Sequence, residues 1–497
     1  MKKILCAFSA LLVSGMIFAA TMDSKVRSVP KAITEKVFSS PKEGLPLLVK
    51  HLTQGANGAS GKVKVMHDWI CDNIAYDCEM YFSAGKIENQ DYESVLKKRK
   101  AVCAGYTSVM NAMCYYAGIE SIGVYGYSKG FGYTGKLDGI DHAWNAIKLG
   151  GKWQLVDCTW DAGYVDYKTY VKHYTDEWLF LDPKFFIYSH LPEKEEYQYL
   201  KEPITQEQFV KEPYIAGKFF RKGFSLGKEI PDYTTVIDGA KSFEFGISQS
   251  GISITSVIRE RKGGRSVENS TWINRMGNKF TVDFDVPDNK EYRAVIFAKK
   301  ISEENFNDRF AIQEFAQHVQ QTEALLAAKK ITQREKDFFE SAFFKSEENG
   351  VYYPLEDLFA TERNNAVKKI FRLLGISANM HEPVLDFLIK ASPEYSGYGN
   401  IKKYPSCYAS YDTATSTRLI EPISGSLKKG EKVRFEISSK DYIGIAYKGD
   451  GNPELLKKDA KTGNFIGEFE IPDTDRVIIY GTKNNKNLTG LWFYTVE

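Results

Sequence analysis

The chain lacks a dominant charge. Its 66 lysines and arginines stand against 64 aspartates and glutamates, for a formal net charge of +2. That balance gives no reason to expect nucleic acid or an anionic surface as partner, so no nucleic-acid partner is expected. The chain also lacks long apolar runs after its first twenty residues, so no stable membrane span is expected once a leader is removed. Cysteines are few: Cys6 near the N-terminus, then Cys71, Cys78, Cys103, Cys114, Cys158 and Cys407. Six in a mature chain of this length do not make a disulfide framework, although Cys71 and Cys78 are near enough in sequence to pair. No two cysteines have the C-x-x-C spacing of a zinc site, so neither a metal nor a cofactor is expected.

What is present begins with a leader. Lys2 and Lys3 precede an uncharged stretch from Ile4 to Ala20, and polar residues follow from Thr21. A short basic end, an apolar run and small residues read as a signal peptide over residues 1–20, cleaved near Ala19 or Ala20. The expected location is secreted or periplasmic.

Residues 21–215 mix helical and strand patterns. Val63, Met66, Ile70 and Ile74 recur at helical spacing with Trp69 on the same side. A second helix is expected from Cys103 to Tyr116, stopped by Gly118. Two strands, 143–149 and 152–159, flank Gly150-Gly151, a two-residue hairpin turn. Beyond residue 215 two segments read as diverged copies. Gly277-Asn278 leads to Phe284-Asp285-Val286-Pro287-Asp288 and a strand, and Gly463-Asn464 leads to Phe469-Glu470-Ile471-Pro472-Asp473 and a strand. Phe245-Gly246-Ile247-Ser248 matches Phe435-Glu436-Ile437-Ser438 upstream of each. Two all-β units of this size suggest immunoglobulin-like sandwiches at 216–301 and 396–497. Between them, 302–395 reads as an inserted helical domain. It carries a capping box at Thr332-Gln333-Arg334-Glu335 and helix stops at Gly350 and Gly375.

The chemistry concentrates between residues 100 and 161. Cys103 falls on the first turn of its helix, where the macrodipole favours a thiolate and the backbone N–H can face a developing oxyanion. Its small neighbours Ala104 and Gly105 are expected to leave room for a substrate carbonyl. With Gly150-Gly151 as the turn, Leu149 pairs with Lys152. Continuing that ladder puts Trp144 opposite Asp157 and His142 opposite Thr159. His142 and Asp157 then share one face as diagonal neighbours, about 7–8 Å apart between backbones. An acid there would orient the imidazole and leave its other nitrogen for Cys103. Asp161 is the alternative acid, whereas His67, His173 and His190 lack such a setting and are read as structural. The glycine-rich run 129–139 is expected to form a mobile loop or a plain surface loop.

Ala101-Val102-Cys103-Ala104-Gly105-Tyr106, Asp141-His142-Ala143-Trp144-Asn145 and Trp153-Gln154-Leu155-Val156-Asp157-Cys158-Thr159-Trp160 together resemble the three motifs of the transglutaminase-like superfamily. Val124 to Gly130, Trp178-Leu179-Phe180 and Ser189-His190-Leu191-Pro192 resemble its kyphoscoliosis-peptidase-like branch. The resemblance covers about residues 45–215. It implies an α+β transglutaminase-like (papain-like) catalytic domain, with Cys103 as nucleophile, His142 as base and Asp157 as orienting acid. That branch also carries β-sandwich modules after its catalytic domain. One departure stands out: the family usually has proline after the triad acid, and this chain has Cys158. The implied function is cleavage of protein or peptide amides through a thioester. A glutamine cross-linking or deamidating activity, or a non-catalytic surface scaffold, is the alternative. The sandwiches would serve a protein or cell-surface partner.

Overall fold

A computed structural model describes residues 22–83, 88–166, 168–261, 266–300, 310–346, 351–354, 361–374, 382–399, 401–408, 413–484 and 487–497. The leader and the helix stops expected at Gly350 and Gly375 lie outside the described residues. No helix among the described residues is long and apolar enough to cross a membrane. The chain divides into two compact units. One holds the residues through Gly126 with Asp141–Pro183 and Pro192–Tyr199; the other holds Tyr127–Ile140, Lys184–Leu191 and Leu200–Glu497.

The first unit is α+β. Helix α1 (Gly58–Asn73) buries Val63, Met66, Trp69 and Ile70. Their spacing puts them on one stripe, which packs with Val109, Met110, Met113 and Cys114 of helix α2 (Cys103–Ala117) in a single core. Helix α2 ends at Gly118, whose φ of 67° is left-handed and whose N–H reaches back to the carbonyls of Cys114 and Tyr115. Strands β1 (Ser121–Ser128), β2 (His142–Leu149), β3 (Lys152–Val156) and β4 (Leu179–Leu181) lie in the order β4-β3-β2-β1, each pair antiparallel. Buried Asn145 of β2 ties the sheet to α2, donating to the Thr107 carbonyl at 3.1 Å and to Asn111 Oδ1 at 2.9 Å. A polar side chain there needs such partners.

The β2–β3 hairpin has the expected register, from Leu149 opposite Lys152 to Asn145 opposite Val156. Gly150 and Gly151 have φ of 56° and 81°. Both central residues of this turn type need positive φ, which glycine adopts without a Cβ penalty. The second strand is shorter than expected, however, ending at Val156 rather than at 159. Asp157 leaves the ladder to cap helix α3 (Cys158–Ala162), accepting from the Thr159 and Trp160 N–H groups. An aspartate immediately before a helix is a favoured cap, and that preference outweighs continuation of the strand.

The second unit contains the two β-sandwiches, and their strand orders coincide. In the first, one sheet runs Phe224–Leu226, Lys241–Ile247, Lys279–Phe284, Thr271–Met276. Its counterpart runs Arg418–Glu421, Lys432–Ser438, Phe465–Glu470, Lys457–Lys458. The facing sheets run Tyr214–Ile215, Glu382–Ala391, Glu291–Lys300, Ile252–Glu260, Ser266–Val267 and Ser406–Cys407, Thr489–Val496, Arg476–Thr482, Gly444–Lys448, Glu454–Leu455. Each has one short parallel strand, Thr234–Ile237 or Ser426–Leu427, on the equivalent partner. Alternate residues of both sheets fill each core, for instance Phe243, Phe245 and Phe280 against Ile254, Ile296 and Phe387.

Two boundaries differ from the sequence reading. Glu382–Ala391, assigned to the helical domain, is a central strand of the first sandwich, paired with Glu291–Lys300. Tyr214–Ile215, assigned to the catalytic domain, pairs with Leu385 and Asp386 of that strand. The helical stretch is therefore an insertion into the first sandwich. It holds helices Ile312–Ala327, Gln333–Ser341 and Thr361–Leu374 together with a small three-stranded sheet. The capping box at Thr332 and Glu335 forms in both directions. The glycine-rich run is tied down rather than free. Lys129 is buried and donates to the carbonyls of Phe209 and Glu212. The Gly132 N–H donates to Asp386 Oδ2 at 3.0 Å, and the Tyr233 hydroxyl to the Tyr133 carbonyl.

Candidate active site

Cys103 opens helix α2, half-buried, with extended Val102 before it. As the first helical residue its N–H has no intrahelical acceptor. The approach to it is held by two contacts. Short strand Lys100–Ala101 runs parallel to Ala75–Tyr76, and Gln90 Oε1 accepts from the Val102 N–H at 3.0 Å. Gly105 has a different role from the one expected. A Cβ there would stand 2.6 Å from Ala101 Cβ, 2.7 Å from Gln90 Oε1 and 2.8 Å from Val95. Its smallness serves packing beneath the helix start, not access for substrate. Gly105→Ala is accordingly expected to destabilise the protein by about 1–3 kcal/mol, read as a lowered denaturation midpoint. An unchanged midpoint would disprove that role.

His142 is the first residue of β2 and Asp157 follows the last residue of β3, so the hairpin brings them together. His142 Nε2–H donates to Asp157 Oδ2 at 2.7 Å, both side chains being almost completely buried. Asp157 Oδ1 accepts from the Thr159 N–H at 2.8 Å and the Trp160 N–H at 3.2 Å. One carboxylate oxygen thus fixes the helix cap while the other fixes the imidazole. With Nε2 engaged, Nδ1 is the nitrogen left for the Cys103 thiol, which hydrogen-bonds to the same ring. Burial pulls the His142 imidazolium down. The Asp157 charge, its hydrogen bond and the Cys103 hydrogen bond outweigh that and raise it from 6.5 to about 10.

The structure brings Cys103, His142 and Asp157 together and leaves the alternative acid elsewhere: Asp161 Oδ2 lies 3.0 Å from His67 Nε2. His190 is buried with Ser189 Oγ 2.8 Å from Nδ1, and His173 stacks edge-on to Tyr164. Three aromatic neighbours carried no role in the sequence reading. Trp160 and Trp144 flank the His142 ring at 5.2 and 5.9 Å between centroids. Tyr76 lies near enough to Cys103 to feel its charge, and its phenol is pushed up chiefly by burial. The tryptophans lie within the histidine and aspartate motifs, so motif position was their available signal. Tyr76 sits in a two-residue strand, too short to show a period.

Residues 47–158 match the family profile described as the transglutaminase-like superfamily. Kyphoscoliosis peptidase of Mus musculus is 39% identical over 189 residues, which is 37% of this chain and 28% of that protein. Hillarin of Drosophila melanogaster is 34% identical over 140 residues, 25% of this chain and 17% of that protein. A solved structure described as a TGase covers 26% of this chain and 32% of its own, at 19% identity and a TM-score of 0.20. The chain therefore carries a transglutaminase-like domain. That domain is similar to part of the kyphoscoliosis peptidases. The chain spans less than a third of the length of the relatives it matches.

The family's proline after the triad acid falls, in this chain, on the first residue of α3. Proline is favoured there because the N–H is orphaned anyway and φ is already helical. Cys158 satisfies the same backbone and adds a thiol to the core.

Proposed function

We propose that this chain is an exported cysteine hydrolase that cleaves protein or peptide amides. In this reading Cys103 is the nucleophile, His142 the acid and base, and Asp157 the orienting carboxylate. The observation that carries it is the 2.7 Å contact between His142 Nε2 and Asp157 Oδ2, made by a ring that also shares a hydrogen bond with a cysteine at a helix start.

The Cys103 thiolate attacks the amide carbonyl, and the oxyanion draws on the helix-start N–H of Cys103. The C–N bond breaks as imidazolium Nδ1–H protonates the departing amine. Neutral His142 then takes a proton from water, which attacks the thioester and releases the acid and the thiolate. An amine in place of water would give cross-linking through the same acyl-enzyme. The name of the peptidase relative favours water. The β-sandwiches are left for a protein or cell-surface partner.

The test is a peptide-library digestion with termini mapped by mass spectrometry, run beside incorporation of an amine probe into a glutamine substrate. New termini that depend on Cys103 support the reading. Amine incorporation without cleavage would replace it with transamidation, and neither activity would leave the scaffold alternative.

The pH profile follows from His142. Its folded value near 10 lies above the ordinary 6.5, so its contribution to stability is complete below 6.5 and disappears as pH rises through 10. The imidazolium that protonates the leaving amine disappears over the same window. The alkaline limb of kcat/KM is expected near pH 10, and a limb near 7 would contradict this electrostatic account.

A further inference from the structure

We propose that the first unit binds a zinc ion in its core, through His67 Nε2, Cys71 Sγ and Cys158 Sγ, with the Asp161 carboxylate next to the fourth position. The site is separate from the Cys103 chemistry and stands whether or not that chemistry is as proposed.

His67 and Cys71 are four residues apart on α1 and so share one face. Cys158 and Asp161 stand on α3, three apart. All four are 0–2% exposed. The ligand atoms of His67, Cys71 and Cys158 lie within 4.8 Å of one another. Cys71 Sγ is 3.6 Å from His67 Nε2. Tetrahedral zinc with its usual N and S bond lengths would place two such ligands about 3.5 Å apart. Asp161 Oδ2, at 3.0 Å from the same nitrogen and held by the Trp178 N–H at 3.0 Å, lies outside that trio and would have to move towards the sulfurs to join them.

The surroundings fit a metal-ligating imidazole. The other ring nitrogen, Nδ1, faces Asp68 Oδ1 at 3.1 Å. Asp68 is itself held by the Tyr174 hydroxyl at 2.7 Å, Lys64 Nζ at 2.6 Å and the Asp23 N–H at 2.7 Å. A ligating histidine that passes its second N–H to a fixed carboxylate is the usual outer shell of zinc. Two thiolates and an imidazole select zinc over calcium or magnesium, which take oxygen ligands. Binding displaces the two thiol protons and the proton at Nε2, with no change in oxidation state. It would clamp α1 to α3, the helix that Asp157 caps. The expectation that no metal binds rested on cysteine–cysteine spacing. H-x-x-x-C on one helix with C-x-x-D on another escapes that criterion.

The test uses the full chain, reduced and stripped with a chelator, then titrated with Co²⁺ and back-titrated with Zn²⁺. Wild type should show a thiolate-to-cobalt charge-transfer band and tetrahedral visible bands, saturating at one equivalent and abolished by Zn²⁺. Cys407→Ser should titrate like wild type, Cys71→Ser and Cys158→Ser should lose charge-transfer intensity, and Asp68→Asn should bind about 10–100-fold more weakly. The wild-type titration decides the matter even if a core variant fails to fold. Absent bands in reduced wild type, full intensity in Cys71→Ser, or a Cys71–Cys158 disulfide in the purified protein would overturn the proposal.

Discussion

Cys103→Ala is expected to lower amide turnover by about 10⁴–10⁶-fold while leaving the denaturation midpoint close to that of wild type. The large first effect follows because Cys103 is the thiol that shares a hydrogen bond with the His142 ring. Cys114 is packed in the core with its Sγ towards Met110, and Cys71 and Cys158 are buried beside His67. The small second effect follows from position: Cys103 is half-buried, lies outside the core cluster, and gives way to the best helix former. Single-turnover cleavage of a mapped peptide, beside thermal denaturation of both proteins, measures the two together. Residual turnover within tenfold of wild type would remove Cys103 from the mechanism.

Asp157 separates two effects that most active-site acids confound. Asp157→Asn keeps a good cap for α3 but loses the charge and can force the wrong imidazole tautomer. Its turnover is expected to fall by about 10⁴-fold with little loss of stability. Asp157→Ala loses both oxygens. It should show a similar kinetic defect together with about 0.5–2 kcal/mol of destabilisation from the missing cap. In Asp157→Asn the alkaline limb should also move down from near 10, because the charge that raises His142 is gone. If both variants kept wild-type turnover while Asp157→Ala alone lost stability, Asp157 would be a cap and nothing more.

The repeat shows how far local patterns reach. Short matches such as Phe245–Ser248 with Phe435–Ser438 were enough to expect two copies, and both fall on the equivalent strand of identical sheet orders. The same pattern could not place Glu382–Ala391. Its strand partner, Glu291–Lys300, is separated from it by the whole helical insertion, whereas the corresponding strands of the second copy, Arg476–Thr482 and Thr489–Val496, lie close together in sequence. Nearest-neighbour periodicity carries no information about a pairing interrupted by so much chain.

The site divides in a similar way. The sequence by itself determined the helix start at Cys103, its stop at Gly118, and the register of the hairpin from Leu149–Lys152 to Asn145–Val156. Each of these depends on residues within a few positions of one another: a dipole, a left-handed glycine, a two-glycine turn. Tertiary structure decided the rest. Asp157 reaches His142 as a helix cap rather than as a strand neighbour, because its second oxygen satisfies the orphan N–H groups of α3. Gly105 is small because Ala101, Gln90 and Val95 crowd it, and those contacts come from other segments. His67, Cys71, Cys158 and Asp161 meet only when α1 and α3 pack, since burial gathers polar side chains from distant positions that chain spacing cannot relate.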